Sequence, residues 1–158
     1  MERIASFNVD HTRLVPGLYV SRRDSFRDCV TTTFDIRMKK PNAGDYLTTT
    51  EAHTIEHLGA TYLRNDERTS ESTVYFGPMG CRTGFYVVFF GDLEPEDIQE
   101  IMTDMFEFIA DYEGTIPGQS EAECGNYRDL ALDGAHRQAK EYLGVLADLN
   151  EKNTVYPA

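Results

Sequence analysis

The chain has 158 residues and a formal net charge of -12, which argues against nucleic-acid and anionic-membrane partners because both repel an acidic surface. Its 41% hydrophobic and 27% charged residues are ordinary for a globular protein, and no apolar run approaches the length needed to cross a bilayer. These features predict one domain spanning residues 1–158, with no nucleic-acid and no membrane partner.

The N-terminus and the cysteines predict a cytoplasmic setting. Residues 1–7 do not show a basic segment followed by an apolar one, so no secretory signal is expected. The three cysteines, Cys29, Cys81 and Cys124, are an odd and sparse set that does not make a disulfide framework. In a reducing compartment such thiols are buried filler, metal ligands or reactive groups. Cys29 opens a β-branched run and is predicted to be buried.

The first predicted elements are a strand and a helix. Residues 1–28 show little beyond a turn at Pro16 and Gly17, whereas residues 29–38 combine a β-branched run with alternation and predict a strand. Breakers at residues 41–44 end this strand. Thr48, with Glu51 three residues later, predicts a capping box at the start of a helix.

The second half of the chain predicts two further strands and two helices. Residues 73–76 and 84–90 have strand composition, and a glycine-rich connection lies between them. A helix is predicted after a cap at Asp92, with Pro95 in its first turn and an apolar stripe made of Ile98, Ile101, Met102, Met105 and Ile109. A last helix is predicted over about residues 128–149, with a frayed tail from Asn150. This order predicts an α+β domain, in which an antiparallel sheet carries helices on one face.

The motif His53-Thr54-Ile55-Glu56-His57 lies in the first predicted helix and points to metal chemistry. Positions i, i+3 and i+4 of a helix share one face, so His53 and His57 can reach the same ion while Glu56 stands beside it as a non-ligating acid or base. This H-x-x-E-H order is used by inverted zinc peptidases, so the spacing argues for metal catalysis but not for one reaction.

A catalytic metal usually has three protein ligands, and the residues leave the third one open between two cysteines and a distant carboxylate. Cys124 lies in a polar loop beside Gly125, where a thiolate can turn toward a helix face. Cys81 lies in a glycine-rich turn beside Arg82, and a neighbouring cation favours a reactive thiolate. Spacing alone does not separate Cys81 from Cys124 as the ligand.

Several short motifs in one order resemble the S-ribosylhomocysteine lyase family, the LuxS enzymes that make autoinducer 2. The resemblance covers nearly the whole chain from Ser6 to the last helix, and an ordered set of this kind is far more specific than a single motif. The matching segments, as they stand in this sequence, are S-F-N-V-D-H at residues 6–11, F-D-I-R at 34–37, P-N at 41–42, H-T-I-E-H-L at 53–58, P-M-G-C-R-T-G at 78–84 and C-G at 124–125.

The resemblance implies a homodimer with two identical active sites at the subunit interface. It implies one divalent metal per subunit, natively Fe(2+), with Zn(2+) or Co(2+) able to substitute, on the residues matching His53, His57 and Cys124 and with water as the fourth ligand. It further implies Cys81 as the catalytic thiol, Glu56 as the second proton carrier, and Ser6, His11 and Arg37 as substrate-binding residues. Without the resemblance, His11 would be interpreted as a surface histidine and Arg37 as an exposed strand charge.

The resemblance also implies the reaction, which converts S-ribosylhomocysteine to homocysteine and 4,5-dihydroxy-2,3-pentanedione without net redox change. The sequence departs from the family pattern at two positions. Many members carry an acidic residue three positions before the proline of the P-M-G-C turn and a serine just before that proline, where this chain has Tyr75 and Gly77. Contacts to the homocysteine end of the substrate are therefore expected to differ.

Two other functions compete with this interpretation. In a small inverted-motif metallopeptidase, Glu56 would activate the attacking water, and the third metal ligand would be a carboxylate. In a structural metal site of a dimeric interaction module, four protein ligands would close the coordination sphere, for example with Cys81 joining His53, His57 and Cys124.

Overall fold

The structure, a computed structural model, describes residues 1–157 as one α+β domain around a four-stranded sheet. The strands are β1 (Gly17–Phe26), β2 (Cys29–Arg37), β3 (Thr73–Pro78) and β4 (Gly84–Phe90), in the spatial order β1-β2-β4-β3. Every neighbouring pair is antiparallel. The predicted antiparallel α+β fold is therefore confirmed.

Four α-helices and one short 3-10 helix complete the fold. They are the 3-10 helix (Ala5–Phe7), α1 (Thr49–Asn65), α2 (Pro95–Asp111), α3 (Leu132–Leu146) and α4 (Glu151–Thr154). Within residues 1–157, no helix combines the length and the apolar character that crossing a membrane requires.

The two faces of the sheet differ because side chains alternate along each strand. One face carries the buried core, in which Phe34, Phe85 and Val87 pack against Ile55 of α1 and Met102 of α2. The other face, which we call the open face, carries the alternate residues of the same strands. Among those residues are Tyr19, Thr33, Asp35, Arg37, Tyr75, Tyr86 and Val88.

Helix α1 begins where the sequence predicts. The Thr48 hydroxyl accepts a hydrogen bond from the Glu51 amide, and the Glu51 carboxylate accepts one from the Thr48 amide, so the capping box is confirmed. Glu51 is itself buried and also binds Arg137 and Gln138 of α3. The capping box therefore ties the start of α1 to a second helix.

Helix α2 buries the predicted apolar stripe, but its cap differs from the prediction. The N-cap is Glu94, paired in a capping box with Asp97, and Pro95 occupies the first turn. Asp92, the predicted cap, instead accepts a 2.6 Å hydrogen bond from the Arg23 side chain of β1. The prediction at Asp92 is wrong because α2 begins at Pro95 with Glu94 as its cap, and the Asp92 carboxylate, in the loop before it, is bound by Arg23.

Three other sequence predictions are wrong. The sequence did not predict strand β1, because the second half of this strand is exposed and polar and only its first residues are buried. The last helix begins at Leu132 rather than near residue 128, and a separate short helix, α4, follows Asn150. Cys29 is exposed rather than buried, because it pairs with Phe26 at the tip of the β1–β2 hairpin.

Candidate metal centre

Three side chains converge on the polar face of α1. One ligand atom from each of His53, His57 and Cys124 lies within 4.8 Å of the other two, and all three residues are half-buried. The Sγ atom of Cys124 lies 3.4 Å from the Nε2 atom of His53, and the two imidazole centroids are 4.6 Å apart. The helical spacing of four residues places both rings on one side of α1, where the loop that follows α2 meets them.

Backbone carbonyls fix the orientation of both imidazoles. The Nδ1 atom of His53 lies 2.9 Å from the Asp129 carbonyl oxygen, and that of His57 lies 2.8 Å from the Pro117 carbonyl oxygen. A carbonyl oxygen only accepts hydrogen bonds, so each Nδ1 carries the proton and each Nε2 presents a lone pair. Histidines that bind metals in proteins are commonly oriented in this way.

The loop of residues 115–131 is held against α1 at several points. The Ala131 amide donates a 3.0 Å hydrogen bond to the Thr54 hydroxyl, and the Thr50 hydroxyl donates to the Asp129 carboxylate. Gly118 has a φ of +75°, and a Cβ atom there would lie 3.1 Å from Nδ1 of His57. Glycine therefore permits both the left-handed backbone and the close approach of the loop to that ring.

The donor set fits a divalent metal. Two imidazole nitrogens and a thiolate are ligands that Zn(2+), Fe(2+) and Co(2+) accept, and three protein ligands leave a coordination position open. The Asn126 amide donates to the Cys124 sulfur over 3.4 Å, which helps to hold that sulfur beside His53. Among residues 1–157, this group includes neither a carboxylate nor Cys81. It therefore lacks the carboxylate ligand that the metallopeptidase would require, and it lacks the fourth protein ligand that the structural metal site would require.

Cys81 lies at the tip of the β3–β4 turn, close to this cluster. The Arg82 amide donates to the Met79 carbonyl oxygen, and Arg82 itself has a φ of +58°, a left-handed conformation that is unusual for a residue with a side chain. The turn leaves Cys81 exposed toward a cleft of about 370 Å³. His11, Arg37, Asn42, Tyr46, Cys81 and Thr83 are among the residues that line this cleft.

A second cleft of about 370 Å³ adjoins the first one. Glu56 and His53 line it together with Met79 and Asp129, and Gly80 and Arg82 line both clefts. Residues of the β3–β4 turn therefore line both the cleft that holds the Cys81 thiol and the cleft that holds the Glu56 carboxylate. Every predicted catalytic residue lies in one of these two neighbouring clefts.

Ser6 lies apart from the other predicted substrate-binding residues. It lines a third cleft of about 350 Å³ on the open face, with Tyr75, Tyr86 and Val88. Tyr75 is about half exposed there, and a Cβ atom at Gly77 would collide with its phenol. The two positions that depart from the family pattern thus form one unit, in which the Tyr75 ring fills the space of a side chain at residue 77.

Arg37 is not the exposed strand charge that its sequence context suggests. It is 3% exposed, and its Nη2 atom lies 2.5 Å from Oδ2 of Asp35, which is fully buried. Burial alone would lower the pKa of Arg37, but the Asp35 carboxylate outweighs that effect and raises it, so the guanidinium stays charged. Its Nη1 atom donates a 2.6 Å hydrogen bond to Thr83 Oγ1.

Hydrogen bonds link Cys81 to Arg37 rather than to its neighbour in sequence. Thr83 Oγ1 lies 3.1 Å from the Cys81 sulfur, so the Arg37 guanidinium reaches the thiol through one hydroxyl. The Arg82 guanidinium instead donates to the Leu47 carbonyl oxygen over 3.3 Å. The cation connected to the thiol is therefore buried and fixed.

Sequence reasoning missed four groups around the site. The carbonyls of Pro117 and Asp129 orient the histidines, and Asp35 and Thr83 hold Arg37. Main-chain acceptors carry no side-chain signature. Two sequence signals point to part of this arrangement. The Pro117-Gly118 dipeptide indicates a turn in the loop that meets His57, and the alternation of Asp35 with Arg37 places both side chains on one face of a strand.

Comparison with known proteins gives one consistent family. Residues 4–153 match the family model described as S-Ribosylhomocysteinase (LuxS). A relative named S-ribosylhomocysteine lyase from Clostridium beijerinckii is 52% identical over 158 residues, covering 99% of each chain. Relatives with the same name from Finegoldia magna (48% identical, 99% of each chain) and Desulfotalea psychrophila (50% identical, the full length of both chains) are similar over the same extent.

Proposed function

The chain belongs to the S-ribosylhomocysteinase (LuxS) family and is a carbon–sulfur lyase, and we propose that it cleaves S-ribosylhomocysteine at a metal centre on α1. The proposed products are homocysteine and 4,5-dihydroxy-2,3-pentanedione, which is the precursor of autoinducer 2 in this family. Residues 1–158 act as one metal-dependent domain in this proposal.

One observation carries the proposal. A cluster of two imidazoles and one thiol adjoins a cleft lined by Glu56, and the Cys81 thiol faces the next cleft across a single turn. A metal site and two separate groups able to carry protons are what a carbonyl migration followed by an elimination requires. The peptidase has no role for the Cys81 thiol, and the structural site would need it as a fourth ligand, whereas the ligand group consists of His53, His57 and Cys124.

His53, His57 and Cys124 would hold one divalent metal per subunit, natively Fe(2+), with Zn(2+) or Co(2+) able to substitute. The orientation of both Nε2 lone pairs supports this ligand set. When bound, the metal supplies Lewis-acid polarisation of the sugar carbonyl, which acidifies the neighbouring C–H bond.

Cys81 acts as the base that moves the carbonyl along the sugar. Its thiolate removes the proton beside the carbonyl and returns it to the former carbonyl carbon, so each cycle shifts the carbonyl by one carbon without net oxidation or reduction. After two cycles the carbonyl is at C3. Removal of the C4 proton then breaks the bond between C5 and sulfur, and homocysteine leaves as a thiolate.

Glu56 carries the remaining protons. Each shift of the carbonyl requires a proton to leave one sugar hydroxyl and another to reach the neighbouring oxygen, and the departing sulfur also takes a proton. Glu56 is half-buried on α1 and, with His53, lines the cleft that adjoins the Cys81 cleft. A carboxylate in this position serves in turn as acceptor and donor.

Ser6, His11 and Arg37 hold the substrate in this proposal. His11 and Arg37 line the Cys81 cleft, and the His11 Nδ1 atom lies 2.9 Å from the Val9 carbonyl oxygen, which leaves Nε2 for a ligand. Tyr75 and Gly77 replace the acidic residue and the serine that many family members carry. The homocysteine end would therefore meet a phenol in place of a carboxylate.

A homodimer with active sites at the interface is part of the same proposal. Large apolar side chains are exposed along the open face and at the N-terminus, namely Ile4, Phe7, Tyr75 and Phe90. A second copy of the chain covering them would remove that surface from water. Within one chain, Ser6 lines a different cleft from Cys81, His11 and Arg37, which also supports a site completed by the partner subunit.

The setting proposed for the enzyme is the cytoplasm. All three cysteines are free thiols, two of them exposed and Cys124 half-buried, and a reducing compartment keeps such groups from oxidising.

Turnover of S-ribosylhomocysteine by anaerobically purified protein tests the function. Homocysteine release is followed with a thiol reagent, and the metal content per chain is measured on the same sample. Turnover with about one metal per chain is the expected result, by the three-ligand rule for catalytic sites. A full metal site without any release of homocysteine would overturn the proposal, and cleavage of a casein substrate would favour the peptidase.

A further inference from the structure

A buried ion pair between Asp35 and Arg37 lies on the open face, and Arg37 also lines the Cys81 cleft. Asp35 and Arg37 are alternate residues of β2 and lie on the same face, with a 2.5 Å distance between Oδ2 and Nη2. Asp35 is fully buried and Arg37 is 3% exposed. A buried pair of charges costs free energy through desolvation, so such a pair is weak evidence for stability and invites a functional explanation.

One end of the pair leads to the Cys81 thiol. Arg37 Nη1 donates to Thr83 Oγ1 over 2.6 Å, and Thr83 Oγ1 lies 3.1 Å from the Cys81 sulfur. Because Arg37 already donates to the hydroxyl oxygen, the hydroxyl proton of Thr83 is free to point at the sulfur. A donor aimed at the sulfur, backed by a fixed cation, stabilises a thiolate.

The other end of the pair leads to the C-terminal segment. The Tyr156 hydroxyl donates a 2.8 Å hydrogen bond to Asp35 Oδ2, the same oxygen that binds Arg37. The Tyr156 ring stacks on Tyr19 of β1, with 4.9 Å between centroids and 16° between planes. Burial, and then the nearby Asp35 charge, raise the pKa of Tyr156, so its hydroxyl keeps the proton that it donates.

Asp35 depends on this bond because its other oxygen has no partner. Among the described residues nothing binds Asp35 Oδ1, which is buried, so Oδ2 alone receives both donors. Burial raises the pKa of Asp35, against the effect of Arg37 and Tyr156, both of which favour the carboxylate. Loss of the Tyr156 donor would weaken the charge that holds Arg37 in place.

We propose that Tyr156 is a positioning residue for Cys81, acting in turn through Asp35, Arg37 and Thr83. The C-terminal segment fixes the carboxylate, the carboxylate fixes the guanidinium, and the guanidinium aims the Thr83 hydroxyl at the thiol. This inference rests on the proposed function in one respect, since it takes Cys81 to be the base of the lyase. Tyr156 itself is not among the residues that line the three clefts described above, so any effect on the Cys81 thiol must pass through other residues.

The test is the alkylation rate of Cys81 in the metal-loaded protein without substrate. Tyr156→Phe keeps the ring on Tyr19 and removes only the hydroxyl. Iodoacetamide labelling at pH 7, resolved by peptide mass spectrometry, is expected to be about 3- to 10-fold slower at Cys81, the effect of weakening one charge-assisted hydrogen bond in the chain. Cys29, exposed on the β1–β2 hairpin, provides an internal reference whose rate stays constant.

Control variants at Tyr112 and Thr83 keep the result interpretable. Tyr112→Phe removes a hydroxyl that donates to the Thr115 carbonyl oxygen, away from this chain of bonds, and should leave Cys81 labelling unchanged. Thr83→Val should slow labelling as Tyr156→Phe does, Thr83→Ser should restore it, and the double variant should be no slower than Thr83→Val alone. An unchanged Cys81 rate in folded Tyr156→Phe, or additive effects in the double variant, would overturn the inference.

Kinetics separate this inference from the proposed function. Tyr156→Phe should lower kcat for S-ribosylhomocysteine by a factor similar to the labelling effect and leave KM unchanged, because Tyr156 does not touch the substrate. A raised KM with unchanged kcat would contradict positioning of the base. If the wild-type protein does not turn over the substrate, the proposed function fails, while the labelling rates still decide whether Tyr156 acts on Cys81.

Discussion

At the scale of single residues, the hydrogen-bond partners of a side chain determine whether it is free to bind a metal or a substrate. His53 and His57 are ligand candidates because carbonyl oxygens occupy their Nδ1 atoms and leave each Nε2 atom available, that of His53 lying 3.4 Å from the Cys124 sulfur. Two glutamates of α1 differ for the same reason. Glu51 is bound by the Thr48 amide, Arg137 and Gln138, whereas Glu56 lines a cleft.

Cys124 is expected to be needed for the metal. Cys124→Ala removes the only sulfur in the ligand group, and two imidazoles alone hold a catalytic metal weakly, so the variant should lose most of its metal on dialysis. Metal analysis of the purified protein measures this, with Cys29→Ala as a control that keeps a full complement. Full retention of metal by Cys124→Ala would assign the third ligand elsewhere.

Glu56 is expected to act in catalysis and not in metal binding. Glu56→Gln should keep the metal and lower kcat by about 10²-fold, the usual effect of losing general acid–base catalysis. Steady-state kinetics with parallel metal analysis checks this. Glu51→Gln is the contrasting variant, because it disturbs the capping box and should lower the melting temperature rather than act on kcat directly. Normal kcat in Glu56→Gln would remove Glu56 from the mechanism.

At the scale of elements, the position of α1 on the sheet determines where the metal ligands point. Gly59 permits this approach, since a Cβ atom there would collide with the Phe76 ring of β3. That ring is stacked on Phe85 with 5.1 Å between centroids, so it has no room to move. Close contact of helix and strand thus holds the motif beside the β3–β4 turn.

Gly59→Ala is expected to destabilise the fold by about 1–3 kcal/mol through overpacking, although alanine is the better helix former. Gly144→Ala is the matched control in α3, where nothing lies within 4 Å of the added Cβ atom. That variant should gain about 0.5–1 kcal/mol. Urea unfolding of both variants gives the comparison, and a Gly59→Ala protein as stable as Gly144→Ala would contradict the close packing of α1 on β3.

At the scale of the whole molecule, one side of the sheet is closed by helices and the other carries the exposed apolar surface. The core face joins all three long helices to the sheet. The open face combines the buried Asp35–Arg37 pair with half-exposed side chains such as Val88 and Tyr86. The face covered by helices therefore provides the buried core, and the open face provides the surface proposed for the dimer.

The dimer is expected to depend on the open face. Val88→Asp places a carboxylate in the middle of that face, and burying an unpaired charge at an interface is costly, so the variant should sediment as a monomer. Lys140→Asp, on the exposed side of α3, adds a carboxylate to the helical layer and should not change the assembly. Sedimentation velocity distinguishes one chain from two. A Val88→Asp protein with the wild-type sedimentation coefficient would move the interface away from this face.

Acid stability is expected to depend on a link between α1 and α2. Hydrogen bonds from Arg68, which also binds Asp104 of α2, lower the pKa of Asp66 from 3.8 to about 2. A carboxyl group with a lower pKa in the folded state stabilises the protein above the unfolded value, and this contribution is lost as the pH falls through about 2.

Asp66→Asn should therefore be less stable than the wild type at neutral pH, and the difference should close between about pH 4 and pH 2. Urea unfolding at several pH values measures it. High salt should reduce the difference, because Arg68 is exposed and its interactions are screened. A stability difference that stays constant down to pH 2 would show that Asp66 acts through something other than its charge.

The sequence by itself determined the features that depend on short-range geometry. The spacing of His53 and His57, the capping box of Thr48 and Glu51, and the apolar stripe of α2 all repeat with the period of a helix, which neighbouring residues set among themselves. The order of the motifs also determined the family. These features required no knowledge of how distant segments meet.

Only the tertiary structure decided which distant groups complete the site. It brought Cys124 to His53 across 71 positions and Tyr156 to Asp35 across 121 positions, buried Arg37 and exposed Cys29. Such contacts depend on how the helices and the C-terminal segment pack on the sheet, and packing is a property of the whole chain. Side-chain identity therefore predicted the chemistry of the ligands, while the fold supplied the carbonyls, the buried ion pair and the C-terminal tyrosine around them.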